Sequence, residues 1–380
     1  MKHTFAILLL IIVSHSTSFS QKNYSVDGYI KNMQSAWFQN IDDDWMTWNT
    51  IHNRVNLNWY AGEHFKIHSG VRTLLNYGEI IEFSDDYAKM LHSDNGFIDL
   101  TRVWYSGKSY SLHTNIDRAY IEYSNGNFQT TIGRQRINWG IGLVWNPNDI
   151  FNTFSYFNFD YEERPGSDAV KLQYYTSMTS SIQLVTQLYH NDKIKIAGKY
   201  QFTISNYDIQ VLGGYYDNEA IIGAGWSGHI SNAGFRGEAT FFSPNNDSLN
   251  KALIATIDAD YIFSNELYLH GAFLYNSNGT TGKAGRGSFL LQKDLSVKTL
   301  SLSKLNLFAQ ISYPITPLIK TDFSTMINPY DKSIYFAPGV TISLQENLYL
   351  LLTTQIFNGE KNSEFGDYGT IGYIRIKWNF

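Results

Sequence analysis

The 380-residue chain has no cysteine. That excludes a disulfide scaffold, thiolate chemistry and any Cys-based metal site, so a secreted product must rely on a large cooperative architecture. Long hydrophobic runs are missing as well. Apart from "AILLLIIV" at Ala6 to Val13, no stretch approaches the roughly 18 apolar residues of a membrane-spanning helix, which excludes an ordinary helical membrane protein. No excess of basic charge exists either: the formal net charge is −5 and the pI near 6.1, the opposite of a nucleic-acid binder. No convincing amphipathic helix follows the leader.

What is present begins with an address. Lys2 and His3 precede the apolar run, and "SHSTSFSQ" follows it; a short positive start, an apolar core and small residues before the cut describe a secretory signal peptide. Cleavage is expected after Ser20, which gives a leader over 1–20 and one mature domain over 21–380. Aromatic residues make up 16% of the chain, with Tyr 27 and Phe 24, while the mean hydropathy is only −0.27. Many rings in a chain that is polar on average fit a transmembrane β-barrel, whose lipid face and interfacial girdles take the aromatics while its lumen takes the polar groups.

The last residues, "GYIRIKWNF", alternate Ile374, Ile376, Trp378 and Phe380 with Tyr373, Arg375, Lys377 and Asn379. Side chains on a strand point alternately to opposite sides, so this segment presents one apolar and one polar face. Similar runs recur through the chain. Val55, Leu57 and Trp59 oppose Arg54, Asn56 and Asn58; Phe235, Ala239 and Phe241 oppose Arg236, Glu238 and Thr240; Ile257 and Ala259 oppose Asp258 and Asp260. Each run is about ten residues long, enough for a tilted strand to cross the hydrocarbon layer. Turn signals separate them at "SNGN" (Ser124 to Asn127), "HNDK" (His190 to Lys193), "YDNEA" (Tyr216 to Ala220) and "QEN" (Gln345 to Asn347). The fold class predicted is all-β: an antiparallel, up-and-down transmembrane barrel of about 16–18 strands.

Three connections, roughly 77–114, 139–166 and 277–303, exceed the 12–15 residues beyond which loops are usually functional or disordered. The third is rich in Gly and Ser. The second, "WGIGLVWNPNDIFNTFSYFNFDYEERPG", is crowded with aromatics and turn formers, and we read it as an ordered constriction loop folded into the barrel. Within and beside it, "GRQRINWG" (Gly133 to Gly140), "WNPNDIFN" (Trp145 to Asn152) and "ERPGSDAV" (Glu163 to Val170) resemble a run found in porin-like outer-membrane barrels related to the alginate-export and capsule-assembly groups. These motifs cover about a tenth of the chain. The resemblance implies a passive or substrate-preferring channel in the bacterial outer membrane, and Phe380 looks like the C-terminal signal read by the outer-membrane assembly machinery.

The constriction candidates are Arg134, Arg136, Trp145, Asp149, Glu162, Glu163, Arg164 and Asp168. Arginines at this place suit an anionic solute, because a guanidinium stays charged and grips carboxylate or phosphate bidentately. The competing reading is that Arg134 and Arg136 brace the loop by pairing with Asp149, Glu162, Glu163 or Asp168. Arg54, Arg72, Lys171, Arg375 and Lys377 form an inferred basic lumen face, since closure would bring the last strand beside the first. Such a face favours anions; mixed charges also simply keep a lumen wet.

Other chemistry finds little support. "GAGWSG" at Gly223 to Gly228 satisfies G-x-G-x-x-G but lies inside a strand with no helix after it, so it is no dinucleotide site. Histidines are scattered, and no G-x-S-x-G elbow occurs. No catalytic residue, cofactor or metal is expected, nor any nucleic-acid partner. The expected surroundings are outer-membrane lipid and lipopolysaccharide, with the assembly machinery engaged during biogenesis. The function expected is diffusion of small hydrophilic solutes, with anionic or saccharide solutes in view. The alternative is a plugged barrel serving as a subunit of a larger export or assembly complex.

Overall fold

The computed structural model describes residues 23–83, 91–94, 96–189, 193–246, 249–285 and 295–380. The expected leader over 1–20 and most of the His190 to Lys193 turn lie outside them. The strands are β1 (Tyr24–Phe38), β2 (Met46–Ala61), β3 (Phe65–Tyr77), β4 (Thr101–Ser106), β5 (Tyr110–Asn125), β6 (Phe128–Gln135) and β7 (Ser167–Tyr175). They continue as β8 (Ser181–Leu188), β9 (Ile194–Ile204), β10 (Tyr207–Tyr216), β11 (Glu219–Ile230), β12 (Ala233–Pro244) and β13 (Ala252–Ile262). The last are β14 (Tyr268–Asn276), β15 (Leu305–Thr316), β16 (Ile319–Asn328), β17 (Ser333–Gln345), β18 (Leu348–Asn358) and β19 (Thr370–Asn379). A short helix, α1 (Glu79–Phe83), follows β3.

All strands belong to one antiparallel sheet that closes on itself, because β1 pairs with β2 on one side and with β19 on the other. Closure leaves no open edge in the hydrocarbon layer, the condition for a sheet to span a membrane. Among the described residues, eighteen strands are staves of the wall. The remaining one, β4, pairs only with the upper end of β5, Thr101 opposite Asn115, while β3 pairs with β5 along its length, from Phe65↔Tyr123 to Tyr77↔Tyr110. The expected 77–114 connection is therefore shorter than it reads in the sequence: it contains α1 and β4, and β5 begins at Tyr110.

Alternation sets the two faces. On β19, Ile374, Ile376 and Trp378 point outward and are about half exposed, whereas Tyr373 is buried inside. The same division holds on β13, where Leu253 and Ile257 face out and Ile254, Thr256 and Asp258 face in. Short turns lie at the end that carries Tyr24 and Phe380. One of them, Ser205 and Asn206 with φ 49° and 68°, has the two left-handed residues that a tight turn needs to match strand twist. The chain leaves β3, β6, β14 and β18 for its longer connections at the other end, the up-and-down pattern of membrane barrels.

The lumen holds the main apolar cluster. Inward Val185, Leu212, Ile254, Leu274, Phe308, Tyr335 and Phe357 pack with Trp139, Trp145, Ile150, Phe151 and Phe157 of the connection between β6 and β7. Apolar wall residues on this arc escape water because that loop covers them. The opposite arc, from β19 through β1, β2, β3 and β5, turns Lys377, Arg375, Lys31, Arg54, Arg72 and Arg118 inward.

Candidate functional site: the lumen loop and its seat

The loop over 136–166 starts where β6 leaves the wall. Gly133 has φ 118°, and a Cβ there would lie 2.2 Å from the carbonyl of Ala119, so only glycine fits this departure point. Arg134 comes next and is almost fully buried. Its Nε and Nη2 donate to the two carboxylate oxygens of Asp168 at 2.7 and 2.8 Å, and Nη1 donates to Asp94 at 2.6 Å. Gln135 donates to the carbonyls of Thr131 and Ala169. The "GRQ" element is thus a hinge: a glycine bend, then two polar side chains that tie β6, β7 and the segment around Asp94 together.

From the hinge the chain runs along the apolar arc. Trp139 donates to Gln183 at 2.8 Å, and its carbonyl accepts from Gln210 at 2.7 Å. The backbone amides of Ile141, Gly142 and Asn148 converge on the buried Glu238 carboxylate at 3.0, 2.7 and 2.8 Å. The Asn148 side chain donates to the Ala224 carbonyl and accepts from Thr240. Room for it comes from Gly223 and Gly225, where a Cβ would lie 2.7 and 3.0 Å from its amide atoms. Two glycines of the "GAGWSG" run therefore form a seat for the loop. Trp145 is buried edge-on to Phe308, and Lys195 donates to the Ile150 carbonyl. Asp149 is fully buried and its carboxylate oxygens accept no hydrogen bond. Burial pushes this carboxyl up to about 6, against the pull of Arg164 and nearby backbone amides.

The second half of the loop crosses to the charged arc. Phe157 packs edge-on to Tyr335, with ring centroids 4.9 Å apart, and its carbonyl accepts from Gln355. The acidic stretch 160–163 then meets the basic wall. Asp160 pairs with Lys31 at 2.9 Å and Arg375 at 3.1 Å; Glu162 pairs with Lys377 at 2.7 Å; Glu163 accepts from the Tyr29 hydroxyl at 3.0 Å and lies 3.7 Å from Arg54. Tyr161 donates to Asp117 beneath the guanidinium of Arg72, and Arg118 donates to the carbonyls of Glu163 and Arg164. Burial raises the Glu162 carboxyl, yet the Lys377 ammonium outweighs it and holds the group below its ordinary value.

The candidates of the constriction divide by position. Arg134 and Asp168 bind each other at the hinge, and Trp145 and Asp149 are buried between loop and wall. Glu163 belongs to the seam with β1 and β2. Arg136, Glu162 and Arg164 keep accessible surface. Arg164 stacks over Phe154 at φ 58°, and neither it nor Arg136 forms an ion pair among the described residues. On the inferred basic face, Arg54, Arg72, Arg375 and Lys377 share one arc, whereas Lys171 stands apart on β7. Sequence reasoning missed the anchoring roles of Glu238, Lys31, Asp117 and Asp160. The signal available was the stretch 160–163 itself, whose three carboxylates, Asp160, Glu162 and Glu163, a wall of inward cations would hold.

No protein-family model matches the chain, and no curated protein sequence matches it. Solved structures do match in shape. OccAB4 of Acinetobacter baumannii is 8% identical, with 95% of this chain and 99% of that one covered at a TM-score of 0.61. The outer membrane protein OprD from Pseudomonas aeruginosa is 9% identical, with 94% of each chain covered at 0.59. OccD3 (OpdP) of the same organism is 8% identical, with 94% and 91% covered at 0.57. At these identities the likeness is one of fold.

Proposed function

We propose that this protein is a porin of the bacterial outer membrane, a passive path for small hydrophilic solutes narrowed by the 136–166 loop. The observation that carries the reading is a closed barrel, apolar outside and polar on one inner arc, with an ordered loop held across its lumen. The matched shapes of OprD and the Occ proteins support it. The narrower kinship with alginate-export and capsule-assembly barrels rests on the three loop motifs alone. Selectivity comes from charge and steric fit rather than from chemistry, and Arg136 and Arg164, which keep accessible surface and form no ion pair among the described residues although both act on the buried Asp149, favour anionic solutes, saccharide acids among them. The outer wall meets lipid and lipopolysaccharide, and the assembly machinery reads the last strand to Phe380.

A second reading has its own observation. The loop touches the wall from Gln183 on β8 round to Arg72 on β3, as a plug would, which suits a barrel serving as a subunit of a larger membrane complex. Single-channel conductance of the refolded barrel in planar bilayers, with reversal potentials in a salt gradient, decides between them. Steady conductance with anion preference, altered on deleting residues 142–161, supports the porin; conductance that appears only after the deletion supports the plug.

A further inference from the structure

Two histidines from different elements meet at the mouth of the barrel, on the side of the longer connections. His113 belongs to β5, is 4% exposed, and turns inward beside the buried Ser111. His92 lies between α1 and β4 and packs against it: the ring centroids are 5.1 Å apart and the planes meet at 68°. Two imidazoles on one tetrahedral metal, with metal–nitrogen bonds of about 2.0 Å, have their centroids roughly 5 Å apart. The polar atoms agree with that geometry. Nδ1 of His113 is buried and has no hydrogen-bond partner among the described residues, a deficit that buried polar atoms rarely carry. Nε2 of His92 is tied to the Ser111 hydroxyl; in the tautomer that donates to Ser111, Nδ1 of His92 keeps a bare lone pair. An outer hydrogen bond of this kind orients a metal-ligating imidazole.

We propose that His92 and His113 bind a divalent transition cation of the kind that takes imidazole nitrogen, zinc or copper, with water completing its coordination. No group of three or more histidine and carboxylate donors able to hold a metal occurs among the described residues, so the protein supplies two ligands and the site is exchangeable rather than structural. His52 is not a third. It stands at the same level of the wall, with Leu74 between it and His113, but its ring is set edge-on to Tyr29 and its Nε2 accepts from Arg72. Arg72 itself faces the Asp117 carboxylate, which offsets the charge it places near His113. The bound metal joins the segment before β4 to the wall strand β5. The inference is independent of the channel reading.

The test is calorimetric titration of the full-length, refolded barrel, made without a histidine tag, with zinc chloride. The tightest zinc site should hold one ion per barrel, copper should bind there more tightly in the Irving–Williams order, and magnesium, which takes oxygen ligands, should not bind there. His92→Ala and His113→Ala should each weaken zinc roughly tenfold or more, and Ser111→Ala roughly tenfold through the lost orientation of His92. His92 lies outside the strands, so its variant should form the barrel whatever the His113 variant does; heat-dependent gel mobility checks both. His52→Ala should keep the parental affinity. Zinc should also raise the unfolding midpoint of the parent and not that of His92→Ala. Absence of zinc binding to the parent, equal affinity in parent and His92→Ala, or magnesium binding as strong as zinc overturns the proposal, and so does a loss in His52→Ala as large as that in His92→Ala.

Discussion

The guanidinium of Arg134 faces the carboxylate of Asp168 through two parallel bonds, 2.7 and 2.8 Å long, directly across the β6 and β7 pair. Its remaining nitrogen reaches Asp94, so one side chain closes the wall at the point where the loop departs. Lysine carries the charge but not the fork. Arg134→Lys should lower barrel stability by about 2–4 kcal/mol, in the range for impairing a buried pair, as read from urea unfolding followed by tryptophan fluorescence in detergent. Ion selectivity should stay at its parental value, because Arg134 is only 4% exposed. A stable variant with altered selectivity would return Arg134 to the pore.

Glu238 holds the first half of the loop by accepting from three backbone amides. Glu238→Gln gives up the charge and replaces one acceptor oxygen with a donor, leaving at least one amide without its partner at about 1–3 kcal/mol. The barrel should still form, since no ladder bond of β12 is touched. The loop should loosen: proteolysis within residues 140–150 should speed up and single-channel current should become noisier. Equal protease resistance in parent and variant would count against the anchor.

Asp149 gives a pH dependence. Its carboxyl titrates near about 6 in the folded protein against an ordinary value of 3.8. The folded state therefore binds this proton more tightly than the unfolded state does. Stability contributed by the group is full below the ordinary value and is lost as pH rises through about 6, by roughly 3 kcal/mol in total. Asp149→Asn preserves shape without charge, so the slope over that window should flatten and the variant should exceed the parent near pH 8. Denaturant midpoints across the window check this; parallel curves would show that the buried group does not govern the slope.

Gly225 lies on the inner face of β11 beneath the Asn148 amide. Gly225→Val suits a strand and should leave the barrel intact by its heat-dependent gel mobility, yet the added methyl groups fill the seat. The loop should rise from the wall, with the same noisier single-channel current as Glu238→Gln. A barrel with parental conductance would mean that the seat tolerates a side chain.

Much of this architecture is local and legible in the sequence. Alternation such as Ile374, Arg375, Ile376 and Lys377 fixes which side chains meet lipid and which meet the lumen, because pleating leaves a strand no other choice. The "GRQ" and "NPND" elements mark a bend and a turn for reasons confined to a few residues: Gly133 must adopt φ 118°, and the Asp149 amide donates back to the Asn146 carbonyl at 3.1 Å. The aromatic crowding of 139–166 marks a loop with something to pack against. What remained open was the partner of each charge. Arg134 has Asp168 at a separation of 34 residues, but Arg375 and Lys377 meet Asp160 and Glu162 across 215. Such contacts exist only once β19 has paired with β1 and the loop has crossed the lumen. No pattern along the chain encodes that register, since it follows from closure of the whole sheet. The sequence alone determined the barrel, its two faces and its ordered loop. Only the tertiary structure decided that the basic arc is seated against the loop's own carboxylates, because Coulomb energy depends on distance in space and the chain sets that distance last.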